Sequence, residues 1–208
     1  MKLSELQVKE FVDLLASEAA APGGGSAAAL EGALGVALAA MVCSLTVGKK
    51  KYEEKRLLIE SPLERILDIK DSYIDVMVRD TEGFNNLSRA FSLPKNTEEE
   101  KEMRSVAIQD GLKACTMTPM EMMELALESL KVIEKLVGNT NNSAASDLGC
   151  AALGVKAAVQ GAWLNVKINL VGIKEQSFVK EYQEKGEQIL RKTIPLADDI
   201  YSMVLNSL

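Results

Sequence analysis

Apolar side chains recur every three or four positions along most of this chain, which is the period of a helix with one buried face. Val8, Phe11, Val12 and Leu15 keep that spacing after a Ser4/Gln7 capping box, predicting a first helix to about Ala20. Tyr73, Met77, Asp80, Phe84, Leu87 and Phe91 mark the buried stripe of a helix opened by Ser61-Pro62 and stopped by Pro94. Thr97 with Glu100 caps the next, and Met123, Leu127, Leu130 and Ile133 continue the pattern. Thr118-Pro119 between them either starts a new helix or kinks a continuous one. After the polar turn Gly138–Asn142, Ser146 and Asp147 open an apolar helix running through Asn165 to Leu170. A last helix begins near Glu175 and is bent or broken at Pro195.

One stretch departs from this periodicity. Ala27 to Val47 is almost uninterruptedly small and apolar, and Pro22-Gly23-Gly24-Gly25-Ser26 stands directly before it. Ser26 suits the helix N-cap, and a glycine loop at a helix start gathers unpaired N–H groups that favour an anion, or else merely separates two helices. Ala28, Gly32, Gly35 and Ala39 share one face, narrow enough for backbones to approach closely. The run is long enough to span a bilayer, but Glu31 interrupts it, no Trp or Tyr marks an interface and no basic segment precedes it. Burial between helices, at a subunit interface included, is the expectation rather than a membrane.

Several polar residues fall where core is expected. Asp80 lies in the middle of an apolar stripe, which is costly unless the carboxylate is paired or used. Asn165 and Asn169, one turn apart, need partners on another helix or a ligand. Asp147 fits a first-turn acid beside the helix dipole, and Lys49, Lys50 and Lys51 follow the end of the small-residue helix, where they offset the dipole or meet an anion.

Composition narrows the class. Hydrophobic residues make up 47% of the 208 positions but aromatic ones only 4%, which favours helix packed on helix. The expectation is one all-α domain over residues 1–208, an up-and-down antiparallel bundle of six to eight helices. A net charge of −6 argues against nucleic acid as a partner. Cys43, Cys115 and Cys150 lack metal-ligand spacing and read as reduced core thiols of a cytoplasmic protein. The chain has no histidine, which removes the Ser-His and Cys-His nucleophile pairs, the HExxH zinc helix and the Glu-x-x-His di-iron bundle. Acid–base chemistry falls to carboxyls, Lys, Tyr or Cys, and no carboxylate cluster suggests a metal.

Six motifs occur in order: Pro22–Ser26, Leu45-Thr-x-Gly-Lys-Lys-Lys-Tyr52, Asp80-x-x-x-Phe84, Leu93-Pro-Lys with Thr97-Glu-Glu-Glu, Ser146-Asp-Leu-Gly149 and Leu164-Asn-Val-x-Ile-Asn-Leu170. Together they resemble the cyclodeaminase/cyclohydrolase family of one-carbon folate enzymes, over about Leu6 to Phe178. Glu31 departs from the small residues expected in its helix. The resemblance implies a homodimer and a tetrahydrofolate substrate, with no other cofactor. It implies cyclisation of 5-formiminotetrahydrofolate to 5,10-methenyltetrahydrofolate with loss of ammonia, or the related cyclohydrolase reaction in which water opens the methenyl ring. A catalytically silent scaffold dimer is the alternative of another class.

An intramolecular cyclisation suits a site without histidine, because holding two nitrogens in register supplies much of the rate and a carboxyl can shuttle the proton. Under the resemblance Asp80 and Asp147 are the catalytic candidates. Asp80 is the better acid–base group, and Asp147 suits holding the pterin edge or orienting substrate. Asn165 and Asn169 also suit that edge. Gly23, Gly24, Gly25 and Ser26, or Lys49, Lys50 and Lys51, would meet the anionic glutamate tail.

Overall fold

The computed structural model describes residues 3–208, and among these it contains six α-helices and no strand. They are α1 (Val8–Leu15), α2 (Gly24–Ser44), α3 (Arg56–Phe91), α4 (Glu98–Leu136), α5 (Ala145–Leu170) and α6 (Gln176–Leu205). From α2 onward each runs antiparallel to the one before it, as the expected up-and-down bundle. Gly25 lies against Asp80 and Gly32 against Tyr73, so α2 and α3 run in opposite directions. Tyr73 reaches Met122 and Arg65 reaches Glu128, fixing the same relation for α3 and α4.

Small residues set the closest approach. Helix α2 meets α5 with Gly24 near Asn165, Ala28 against Gly161 and Gly35 against Ala151 and Val155. A Cβ at Gly35 would lie 2.8 Å from the Ala151 carbonyl oxygen, so the two backbones touch through glycine. A Cβ at Gly32 would collide with the Tyr73 ring, and one at Gly186 with Trp163. Bulk on one helix thus fits a gap on its neighbour, as a densely packed interior requires. Apart from Ser26, Glu31 and Ser44, helix α2 is made of glycine and apolar residues and is long enough to cross a membrane by length and composition, and 12 of its 21 residues are buried among its neighbours.

Local structure departs from the sequence expectations in instructive places. Helix α2 starts at Gly24 with Gly23 at the N-cap and ends at Ser44, a shift from Ala27–Val47, because the Ser26 hydroxyl is turned to another helix. Helix α3 begins at Arg56 and takes Pro62 inside it. Helix α4 is continuous through Pro119, and α6 through Pro195, so neither proline breaks its helix. The first helix stops at Leu15, with Glu10 accepting from the Gln7 N–H in place of a Ser4 box. Only Phe11 of its apolar face is buried. Ser146 is not a cap: α5 starts at Ala145, with Ala144 at the N-cap. Phe84 and Phe91, expected in the buried stripe, are exposed. Among the cysteines Cys43 is core, Cys115 half-buried and Cys150 exposed. The Thr97/Glu100 box is present as expected.

Candidate active site

Helix α3 continues eleven residues beyond Asp80, about 16 Å, and so overhangs the start of α2. Under the overhang lies a cavity of about 290 Å3. Its walls are the glycine loop and Ser26 from α2, Asp80, Thr81, Phe84 and Leu87 from α3, Cys115 from α4, and Asn165, Ile168 and Asn169 from α5. Four elements separated by well over a hundred residues of chain converge there.

Asp80 stands at the first turn of α2. A Cβ on Gly25 would lie 2.5 Å from both carboxyl oxygens, so only glycine admits the carboxyl at that distance. The Ser26 hydroxyl donates to Asp80 Oδ2 at 3.2 Å and lies 3.1 Å from Thr81 Oγ1. With its single hydrogen directed to Asp80, Ser26 accepts from Thr81, giving a Thr81–Ser26–Asp80 chain. The other buried Ser and Thr hydroxyls, Thr46, Thr116, Ser129, Thr140 and Thr193, bond back to the carbonyl four residues earlier. Ser26, 1% exposed, has no such helical carbonyl behind it and serves Asp80 instead. Burial raises the Asp80 pKa above the usual carboxylate range, and the Ser26 hydrogen bond partly opposes this. Burial, and then the Asp80 charge, push the Cys115 thiol up to about 11, so it stays protonated at neutral pH and is no thiolate nucleophile.

The two asparagines line the cavity. Asn165 Nδ2 donates to Gly161 O at 2.8 Å; Asn169 Nδ2 donates to Cys115 O at 2.8 Å and to Asn165 O at 2.9 Å. The glycine loop is also there, but the group at the helix start is the chain's own carboxyl rather than an open anion site. The structure brings neither Asp147 nor Lys49–Lys51 to this cavity within one chain. Asp147, half-buried in the first turn of α5, is eighteen residues from Asn165 on the same helix, about 27 Å. The three lysines are exposed beyond the far end of α2, and Lys51 Nζ lies 5.4 Å from the Tyr52 ring centre. Thr81, Leu87, Cys115 and Ile168 are wall residues that sequence reasoning did not assign to a site. One signal was readable: Cys115 lies one helical turn before Pro119. Among the described residues no cluster of Cys, Asp and Glu could hold a metal ion.

Fold and cavity define a helical-bundle protein with a histidine-free site built on one desolvated carboxyl and two carboxamides. Residues 7–188 match the model of the formiminotransferase-cyclodeaminase family, and the chain belongs to that family. It is 37% identical over 197 residues to methenyltetrahydrofolate cyclohydrolase from Methylorubrum extorquens, covering 95% of each chain. It is 32% identical over 182 residues to the formimidoyltransferase-cyclodeaminase of Gallus gallus, covering 88% of this chain but 34% of that one. It thus spans about a third of the length of that longer relative. The solved structure of formiminotetrahydrofolate cyclodeaminase from Thermotoga maritima superposes with a TM-score of 0.83 at 29% identity, covering 100% of this chain and 98% of that one. The protein is an enzyme of folate one-carbon metabolism.

Proposed function

We propose that the chain is a formimidoyltetrahydrofolate cyclodeaminase, with Asp80 as its proton shuttle. The observation that carries this reading is the Asp80 carboxyl: half-buried at the cavity wall, raised in pKa, with Ser26 on Oδ2 and no partner on Oδ1 among the described residues. In the proposed step N10 attacks the carbon of the protonated formimino group, Asp80 takes the N10 proton and returns it to the resulting amine nitrogen. Ammonia then leaves and the 5,10-methenyl bridge is complete. Cavity walls that hold N5 and N10 together make the attack effectively unimolecular.

A specific observation favours a second reading. The 37% identity to a cyclohydrolase over nearly the whole of both chains supports addition of water to the methenyl carbon. Asp80 would then accept the water proton and return it to the departing ring nitrogen. The test incubates the protein separately with 5-formiminotetrahydrofolate and 5,10-methenyltetrahydrofolate and follows the near-ultraviolet absorbance of the methenyl group. Growth of that band from the first substrate supports cyclodeaminase, and its decay from the second supports cyclohydrolase. No change in either leaves the scaffold alternative.

A homodimer belongs to the same proposal. Leu34 and Met41 on α2 with Leu45 just after it, and Leu153, Leu164 and Ile168 on α5 with Val171 just after it, are exposed on one outer face, opposite the sides that meet α3 and α4. An uncovered apolar face of this extent suits an isologous interface. Ile168 lies both on that face and in the cavity wall. A two-fold axis running across the helices would reverse their direction and set the Lys49–Lys51 and Asp147 end of a second copy beside this cavity. In that arrangement those residues reach the folate's glutamate tail and orient the substrate.

A further inference from the structure

Helix α4 carries Pro119 in its interior, and proline has no N–H to give to the carbonyl four residues earlier. That carbonyl belongs to Cys115, in the cavity wall. Asn169 Nδ2 occupies the vacated acceptor at 2.8 Å and gives its second hydrogen to Asn165 O at 2.9 Å. Both hydrogens of the Asn169 amide are therefore committed to backbone carbonyls, and the amide cannot turn over without setting oxygen against two oxygens. What remains for the cavity is Oδ1, which accepts from no group among the described residues and is not sealed from the cavity, since no buried polar side-chain atom lacks a partner.

We propose that Pro119 is a positioning residue that fixes Asn169 as an acceptor-only contact, which reads the donor-bearing edge of the ligand. The inference rests on the folate reading and specifies which end of that ligand enters. The 2-amino and N3–H edge of the pteridine offers hydrogens and meets Asn169 Oδ1, with Asn165 Oδ1 one turn away as a second acceptor. The glutamate tail, which offers oxygens, points out of the cavity. A carboxylate entering there would face Asp80 and two amide oxygens.

The experiment compares dissociation constants for 5-formyltetrahydrofolate and for its analogue carrying a 2-methyl group in place of the 2-amino group. The unaltered protein should bind the analogue about tenfold or more weakly, the loss expected when a desolvated acceptor is left unpaired. Asn169→Leu should bind the parent about as weakly as the analogue, removing the discrimination. Pro119→Ala restores the helical N–H to Cys115 O and favours an intact α4, so its thermal midpoint should hold or rise while the discrimination falls several-fold. Loss of discrimination with undiminished stability is an outcome that a purely structural role for Pro119 does not produce. Equal affinity of the unaltered protein for both ligands overturns the proposal while leaving the folate reading standing. Unchanged discrimination in Pro119→Ala overturns the part assigned to the proline. Binding of neither ligand removes the folate reading, and this inference with it.

Discussion

Asp80 is held between two opposed influences, and each predicts something measurable. Burial disfavours its charge, while the Ser26 hydroxyl favours it. Removing the ionisable group by Asp80→Asn should lower turnover by about 10²–10⁴-fold, the usual range for a lost acid–base group, with folate affinity much less affected. Steady-state turnover beside a binding titration checks this, and near-normal turnover would shift the role to another group. The same substitution has a consequence for stability. A carboxyl whose pKa is higher folded than unfolded supports folding at acid pH and withdraws that support as pH rises through its folded value. Asp80→Asn should therefore raise the thermal midpoint at neutral pH. The difference should close below the ordinary carboxylate range. Gly25→Ala pushes a methyl to 2.5 Å from both Asp80 oxygens, so it should lose activity comparably to Asp80→Asn without any change in the proposed catalytic group itself.

At the scale of helices, readable features are those set by neighbours in sequence. The Thr97/Glu100 box begins α4 as its spacing implies, and Thr97→Ala should cost about 1 kcal/mol in denaturant unfolding. The Met-rich stripe of α4 is buried because a period of three to four residues needs no knowledge of the rest of the fold. Asp80, Asn165 and Asn169 stood out because each is a polar residue on an otherwise apolar face. What was not legible depends on partners distant in sequence. Ser26 looks like an N-cap until Asp80 arrives on α3, and Pro119 looks like a break until α5 supplies a donor for Cys115 O. Phe84 sits at the right spacing for the core, but α3 runs past the start of α2, and its outer turns lack a neighbour on that side. Periodicity reports which residues share a face, not how far the covering helix extends.

For the whole molecule, the proposed dimer would link assembly to activity through the outer face of α2 and α5. Leu164 is 69% exposed in the single chain and lies one turn from Ile168 of the cavity wall. Leu164→Glu should reduce the light-scattering mass from twice 22.5 kDa to 22.5 kDa, with little change in helix content, and should weaken folate binding as well. A mass of 22.5 kDa for the unaltered protein at micromolar concentration would remove the dimer from the proposal. The glycine seam between α2 and α5 also bears on how the molecule is made. Helix α2 leaves the ribosome as a bare apolar segment of 21 residues, and Leu170, which completes its closest partner, follows 126 residues after Ser44. At about 5–20 residues per second that interval is roughly 6–25 s. Throughout it, the nascent chain carries an apolar stretch long enough to span a membrane, and α3, complete at Phe91, is the first partner helix able to cover it.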